Sequence, residues 1–198
     1  MKHVPKGVIG PNAVIRVAEA LQTIEGGGTI ERLFRLAGID RYVTARPADM
    51  IDEREVTRLH ATLHASLGDA RARTVGWLAG RYTANYLLHH RIPRLAQIAM
   101  RCMPHPLAAR MLSAAIMRNA WTFAGSGTFA VRQQRGATVL SIRNCPLCRG
   151  ALTTTPYCDF YAGTFEGLFR ALVSPDARAT ETDCAAQGGP ACVFVVTS

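Results

Sequence analysis

The chain has 198 residues, of which 48% are hydrophobic, and a formal net charge of +9. This length is sufficient to bury a core without disulfides, so we expect a single domain over residues 1–198. Because the sequence contains neither a signal-peptide pattern nor a long uncharged apolar stretch, we expect a soluble cytoplasmic protein with at most peripheral membrane contact.

The positive charge is carried by arginine, because Lys2 and Lys6 are the only lysines. Arginine makes bidentate contacts with carboxylate and phosphate groups. Nucleic acid, an anionic membrane surface and a carboxylated small ligand all fit this charge, as does a solvated surface without a partner. We expect no nucleic-acid binding, because the arginines are scattered rather than interleaved with aromatic residues on one face.

Residues 1–122 are predicted to be mainly helical, because their apolar residues recur at helical spacing. The predicted helices are 12–24, 29–37, 52–67 and 73–88, a short one from Pro93, and one from Pro106 to near Trp121. Gly26–Gly28 should end the first helix, and Thr29 should cap the second. Gly76 and Gly80 lie one turn apart and would let a flat or large group approach the backbone closely.

Residues 123–198 are predicted to form a sheet plus one helix, because the apolar period changes. The predicted strands are 128–133, 137–143, 178–184 and 191–197, with a helix at 160–173. The fold class is therefore α+β, with an N-terminal helical layer packed on a small antiparallel sheet, a C-terminal helix and a zinc-stapled hairpin.

The cysteine pattern near the C-terminus predicts a metal site. Cys184 and Cys192 bracket a tight turn, and Cys158 precedes a helix that must pack back on the sheet. Glu181 can add an oxygen, although strand alternation would turn it away from Cys184 unless a bulge or an early strand end intervenes. Three thiolates and a carboxylate suit zinc, and four protein ligands leave no open position, so this site would be structural.

Two alternatives to this metal site stay open. The three cysteines could be unconnected buried thiols. Cys145 and Cys148, in the sequence Cys-Pro-Leu-Cys, could instead combine with Cys184 and Cys192 into a four-thiolate site, or act as a redox dithiol. We treat this pair as an alternative or auxiliary pair of ligands.

The spacing of Cys158, Glu181, Cys184 and Cys192 resembles the metal signature of the 4-vinyl reductase domain family. This family includes sensor domains of phenol-responsive transcription activators. Its bacteriochlorophyll-biosynthesis branch is similar to this chain nearly end to end, through the segments Ile9–Ala13, Gly76–Tyr82 and Asn144–Gly150. The resemblance implies a homodimeric α+β domain that holds an apolar or aromatic ligand between its helices and its sheet.

For that branch, the resemblance implies a magnesium tetrapyrrole as the ligand and enzymes of the bacteriochlorophyll pathway as partners. The competing roles are a carrier of pathway intermediates, an 8-vinyl reductase or its accessory subunit, and a small-molecule-sensing regulatory module. The chain has neither a dinucleotide-binding glycine turn between a strand and a helix nor a clear iron–sulfur pattern. We therefore expect a non-catalytic carrier.

The fourth predicted helix and the two residues that close it supply the candidate ligand-binding residues, namely Trp77, Arg81, Tyr82, Tyr86, His89 and His90. Arg81, Arg91 and Arg94 could pair with a ring carboxylate. His60 and His64, one turn apart on the third helix, are further candidates for ligating the magnesium, beside His89 and His90.

Overall fold

The computed structural model describes residues 7–197, so Lys2 and Lys6 lie outside the described residues. Within that range the helices are α1 (Asn12–Ile24), α2 (Gly27–Leu36), α3 (Arg41–Thr44), α4 (Glu53–Leu67), α5 (Asp69–His90), α6 (Arg94–Arg101), α7 (His105–Arg118) and α8 (Asp159–Leu172). The strands are β1 (Val8–Ile9), β2 (Ile51–Asp52), β3 (Thr128–Gln134), β4 (Ala137–Arg143), β5 (Arg178–Asp183) and β6 (Cys192–Thr197). This mixture of helices and antiparallel sheet confirms the α+β class.

The break between α1 and α2 is shorter than the sequence predicts. Gly26 has a positive φ of 82°, which changes the direction of the chain after α1, and α2 already begins at Gly27. Thr29 therefore lies inside α2 and does not cap it, and the predicted cap is wrong. The apolar stripe of α2 is as predicted, with Leu33 and Phe34 fully buried.

Helices α4 and α5 follow one another with only Gly68 between them. The Asp52 side chain caps α4 by accepting a hydrogen bond from the Arg54 N–H at 2.9 Å. Gly68 then turns the chain with a φ of 76°, and α5 runs for 22 residues, several more than its apolar pattern predicts. No helix among residues 7–197 combines the length and the apolar sequence that crossing a bilayer requires.

Helices α5 and α8 pack against each other through glycines. A Cβ on Gly80 would overlap the carbonyl oxygen of Phe160, and one on Gly163 would overlap that of Trp77. The close approach that Gly76 and Gly80 predict is therefore made by the backbone of α8 and not by a ligand.

The larger sheet has the strand order β3-β4-β6-β5, with every neighbouring pair antiparallel. Alternate residues of β4 and β6 are buried, and Phe194 of β6 packs against Phe165 of α8. The space between α8 and the sheet is filled by an aromatic cluster with ring centroids 5.1–6.3 Å apart, formed by Phe123, Phe129, Tyr161, Phe165 and Phe194. Side chains thus occupy the region between helix and sheet where the resemblance implies a ligand.

Candidate metal centre and ligand cleft

Three elements bring the predicted metal ligands together. Cys158 lies at the N-terminus of α8, Cys184 directly follows β5, and Cys192 begins β6. In the pairing of β5 with β6 the register shifts between Glu181 and Asp183, and β5 ends at Asp183, so both of the departures that the sequence allowed are present. Because of this shift Glu181 and Cys184 are both buried.

The four predicted ligands form a compact set. The Sγ atom of Cys192 lies 3.5 Å from that of Cys158 and 3.8 Å from that of Cys184. The backbone N–H of Cys158 donates to Oε2 of Glu181 at 2.7 Å. One ligand atom from each of the four residues lies within 4.8 Å of the other three.

Cys145 and Cys148 join the same cluster. The Sγ of Cys145 lies 3.6 Å from that of Cys158, and the Sγ of Cys148 lies 3.4 Å from that of Cys192. These four cysteines make a second compact set of ligand atoms. The structure thus joins this pair to Cys158 and Cys192, whereas the sequence suggested Cys184 and Cys192 as its partners.

The electrostatics of the cluster fit a bound cation. Burial, together with the neighbouring Cys184, raises the pKa of Glu181 to about 9, although the Cys158 N–H opposes this shift. Its Oε1 atom is buried without a hydrogen-bond partner among the described residues. Hydrogen bonds from Cys148 and Cys158 lower the pKa of the Cys184 thiol to about 6. An unpartnered buried oxygen beside crowded thiols is an arrangement that a metal ion stabilises, so the cluster can hold one.

A separate cleft of about 820 Å³ lies between α1, α2, α3 and the C-terminal half of α5. Four of the six predicted ligand-binding residues line it, namely Tyr82, Tyr86, His89 and His90. Trp77 lies instead at a shallow surface concavity with Arg73 and Asp159. Arg81 faces α8, where its Nη1 atom is 3.6 Å from Oε1 of Glu166.

The cleft also contains two arginines that the sequence did not single out. Arg16 pairs with Glu19 at 2.6 Å, and its guanidinium lies 4.7 Å from the centre of the Tyr86 ring. Arg46 contacts the other oxygen of Glu19 at 3.2 Å. These arginines come from α1 and from the segment after α3, and only the folded chain places them opposite α5. Arg91 and Arg94 are exposed and do not line the cleft.

The two histidines of α4 lie outside this cleft. His60 is buried with its edge against Phe160, and burial lowers its pKa to about 3, so it is neutral. The ring of His64 stacks on Tyr157 with a centroid separation of 3.8 Å, and its Nδ1 lies 2.8 Å from Oδ1 of Asp69. Neither histidine faces the cleft.

Sequence comparison identifies the family. A bacteriochlorophyll synthase 23 kDa chain from Cereibacter sphaeroides is 39% identical over 94% of this chain and 88% of its own length. The chain belongs to the family of these 23 kDa chains. Another member, from Rhodobacter capsulatus, is 38% identical over 95% of this chain and 86% of its own length. Residues 138–198 match the V4R domain, which confirms the resemblance carried by the cysteine spacing.

Solved structures show how the fold recurs at low sequence identity. An H-NOX protein from K. algicida superposes with a TM-score of 0.63 at 12% identity, over 96% of both chains. An H-NOX structure solved to probe heme distortion gives a TM-score of 0.60 at 12% identity, over 96% of this chain and 94% of the other. The phenol-responsive sensory domain of the transcription activator PoxR gives 0.51 at 17% identity, over 74% of each chain.

Proposed function

We propose that this protein binds a magnesium tetrapyrrole intermediate of bacteriochlorophyll biosynthesis in the cleft and carries it between enzymes of that pathway. The observation that carries the proposal is the meeting of an apolar wall, two arginines and two histidines in one cleft. The name of the relatives, bacteriochlorophyll synthase 23 kDa chain, supports the choice of pathway. The cleft volume falls within the range of small-molecule sites.

The wall of the cleft suits the flat face of a macrocycle. Its apolar part consists of Val14, Ala18, Ile30 and Phe34, which lie opposite the α5 tyrosines. Arg16 and Arg46 are placed to exchange their shared partner Glu19 for ring carboxylates. A bound tetrapyrrole would thus be covered by apolar side chains and held by its acidic substituents.

His89 is the best-placed ligand for the central magnesium. Its Nδ1 atom lies 2.8 Å from the carbonyl oxygen of Asn85, which fixes the tautomer with the proton on Nδ1. Its Nε2 atom is then the free ligand atom. His90 is less available as a ligand, because its ring packs on that of Tyr86 with a centroid separation of 4.8 Å.

The fold supports the same class of ligand. The H-NOX structures that share this fold include one solved to probe heme distortion, and this supports a porphyrin-type ligand. In this chain the aromatic cluster fills the region between α8 and the sheet, so we place the ligand in the cleft of α1, α2, α3 and α5.

We further propose that zinc binds Cys158, Glu181, Cys184 and Cys192 as a structural ion. It would hold the β5–β6 hairpin to the start of α8. Four protein ligands leave no position for water or substrate, which favours a carrier over a metal-dependent enzyme. The homodimer implied by the resemblance and the cytoplasmic location expected from the sequence stay predictions, and sedimentation analysis checks the first of them.

Absorption titration with magnesium protoporphyrin IX tests the ligand site. We expect a shift of the main absorption band at micromolar protein. Replacing Arg16 with alanine should weaken binding about tenfold, equivalent to ~1.4 kcal/mol, because one carboxylate partner is lost. Trp77→Ala, outside the cleft, is the control and should bind like the wild type. The absence of any spectral shift, or an equal loss in the control, would contradict the cleft as the site.

A matched pair of histidine variants tests the magnesium ligand. His89→Ala should weaken binding of magnesium protoporphyrin IX but leave binding of the metal-free porphyrin unchanged, because only the former takes an axial ligand. His105→Ala, at the start of α7, should change neither. Equal weakening of both porphyrins by His89→Ala would assign this residue a packing role instead.

An accessory subunit of a pathway enzyme is the second candidate, because the relatives are named as one chain of a synthase. The two roles differ in a reconstituted assay. A carrier alone should transfer pigment between vesicles or enzymes without changing it chemically. An accessory subunit should instead raise the rate of a pathway enzyme without transferring pigment by itself, and reduction of a vinyl group by the purified chain with added NADPH would establish the reductase alternative.

A further inference from the structure

The buried cysteines and Glu181 form two overlapping sets of four ligands. The first set is Cys158, Glu181, Cys184 and Cys192, and the second is Cys145, Cys148, Cys158 and Cys192. Two sulfurs belong to both sets. Each set then has two residues of its own in addition to the shared pair.

We propose that the cluster is a binuclear zinc centre in which the thiolates of Cys158 and Cys192 bridge the two ions. One ion takes Glu181 and Cys184 as terminal ligands, and the other takes Cys145 and Cys148. This inference rests on the structural zinc site proposed above and adds a second ion to it. It also gives the Cys-Pro-Leu-Cys segment a role that a mononuclear site leaves open.

The sulfur separations match two tetrahedra that share an edge. With Zn–S bonds of about 2.3 Å, the sulfurs of a tetrahedral site are about 3.8 Å apart. The shared edge between Cys158 and Cys192 measures 3.5 Å. Cys145 lies 3.6 Å from Cys158, Cys148 lies 3.4 Å from Cys192, and Cys184 lies 3.8 Å from Cys192. Within each set, every ligand atom lies within 4.8 Å of the other three.

The loop that carries Cys145 and Cys148 is held by contacts outside the cluster. Arg149 pairs with the buried Glu53 at 2.6 Å and also donates to the Asn144 side chain at 2.9 Å. The Thr57 hydroxyl of α4 donates to the carbonyl oxygen of Pro146. These contacts hold both ends of the loop, so that the buried thiols of Cys145 and Cys148 lie beside those of Cys158 and Cys192.

The charge of the site also accommodates a second ion. One zinc ion with three thiolates and a carboxylate carries a net charge of about −2. Adding a second zinc ion together with two further thiolates leaves the net charge at about −2. The second ion therefore neutralises the additional thiolates without adding charge to a buried site.

Metal analysis of the intact protein, purified anaerobically with a reductant that does not bind zinc, tests the proposal. Elemental analysis and native mass spectrometry should both find two zinc ions per chain. One ion per chain overturns the binuclear centre while leaving the structural zinc site in place. No ion overturns both, so the two proposals fail distinguishably.

The double variant Cys145→Ser and Cys148→Ser should retain one zinc ion, whereas Cys102→Ser, whose thiol is exposed, should retain two. Cadmium-113 NMR of the wild-type protein gives an answer even if the double variant does not fold. Two resonances, one further downfield for the all-thiolate ion and coupled through the bridging sulfurs, would support the proposal. A single resonance from fully loaded protein would overturn it.

Discussion

At the scale of single residues, Glu53 joins three separate parts of the chain. It begins α4, accepts hydrogen bonds from the Ser126 N–H at 2.7 Å and hydroxyl at 2.6 Å, and pairs with Arg149. Only 4% of Glu53 is exposed, so each of these contacts satisfies a buried oxygen. Because Arg149 follows Cys148 directly, this carboxylate also helps to position the cysteine cluster.

Replacing Glu53 with glutamine should destabilise the fold by about 2 kcal/mol at neutral pH, because charge-assisted hydrogen bonds to a buried group are lost. The loss is no larger because the Arg149 side chain stays partly solvated. Urea unfolding of the variant and the wild type measures this difference. Glu31→Gln, at an exposed position of α2, is the control and should change stability little. A Glu53→Gln variant as stable as the control would show that the network contributes no net stability.

The same residue predicts a pH dependence. Burial acts to raise the pKa of Glu53, but the hydrogen bonds from Arg149 and Ser126 outweigh it and hold the pKa below the ordinary 4.5. A carboxylate whose pKa is lower in the folded state than in the unfolded state stabilises the fold at pH values above its unfolded-state pKa. This stabilisation is lost as the pH falls through the folded-state pKa. The difference in free energy of unfolding between the wild type and Glu53→Gln should therefore become smaller below about pH 4.5. A gap that stays constant down to the acid transition would contradict this assignment.

At the scale of secondary-structure elements, the packing of α5 on α8 depends on glycine. Gly80→Ala should destabilise the protein by about 3 kcal/mol, because the new methyl group overlaps the backbone of α8 and forces the helices apart. Gly28→Ala is the matched control, because no atom lies within 4 Å of the position that its methyl group would take. This second change should stabilise α2 by up to about 1 kcal/mol. Thermal unfolding of both variants checks the opposite signs, and two changes of the same sign would contradict the explanation.

The elements themselves were largely predictable from the sequence, since α4, β4 and α8 lie within about a residue or two of their expected bounds. Apolar periodicity determines such elements because each buries one face. The short pieces β1, β2 and α3 were not predicted, because four residues or fewer carry no periodic signal. The cap at Thr29 was wrong because Gly26 alone is enough to reverse the chain.

At the scale of the whole molecule, the proposed zinc centre connects the sheet, α8 and the loop after β4. A metal present at about 1,000 times its dissociation constant stabilises a protein by about 4 kcal/mol. Removing it with a chelator should therefore lower the Tm by roughly 8–16 °C for a chain of this size. Calorimetry with and without chelator measures the shift.

Two variants separate metal loss from other effects of the chelator. Cys102→Ser should respond to the chelator as the wild type does, because its thiol is exposed and outside the cluster. Cys184→Ser should start from a lower Tm and respond less. An unchanged Tm of the wild type in chelator would show that no metal supports the fold.

The sequence by itself determined the α+β class and the main helices and strands, and it predicted the four residues of the first ligand set while leaving Cys145 and Cys148 open as alternative ligands. The elements depend on local spacing, and so does the proximity of Cys184 and Cys192 about a tight turn, whereas Cys158 reaches them only through the packing of α8 on the sheet. Tertiary structure decided the rest, because it depends on contacts between distant segments. It placed Cys145 and Cys148 beside Cys158 and Cys192, set Arg16 and Arg46 opposite α5, and directed Trp77 and Arg81 towards other faces of the helix, away from the cleft.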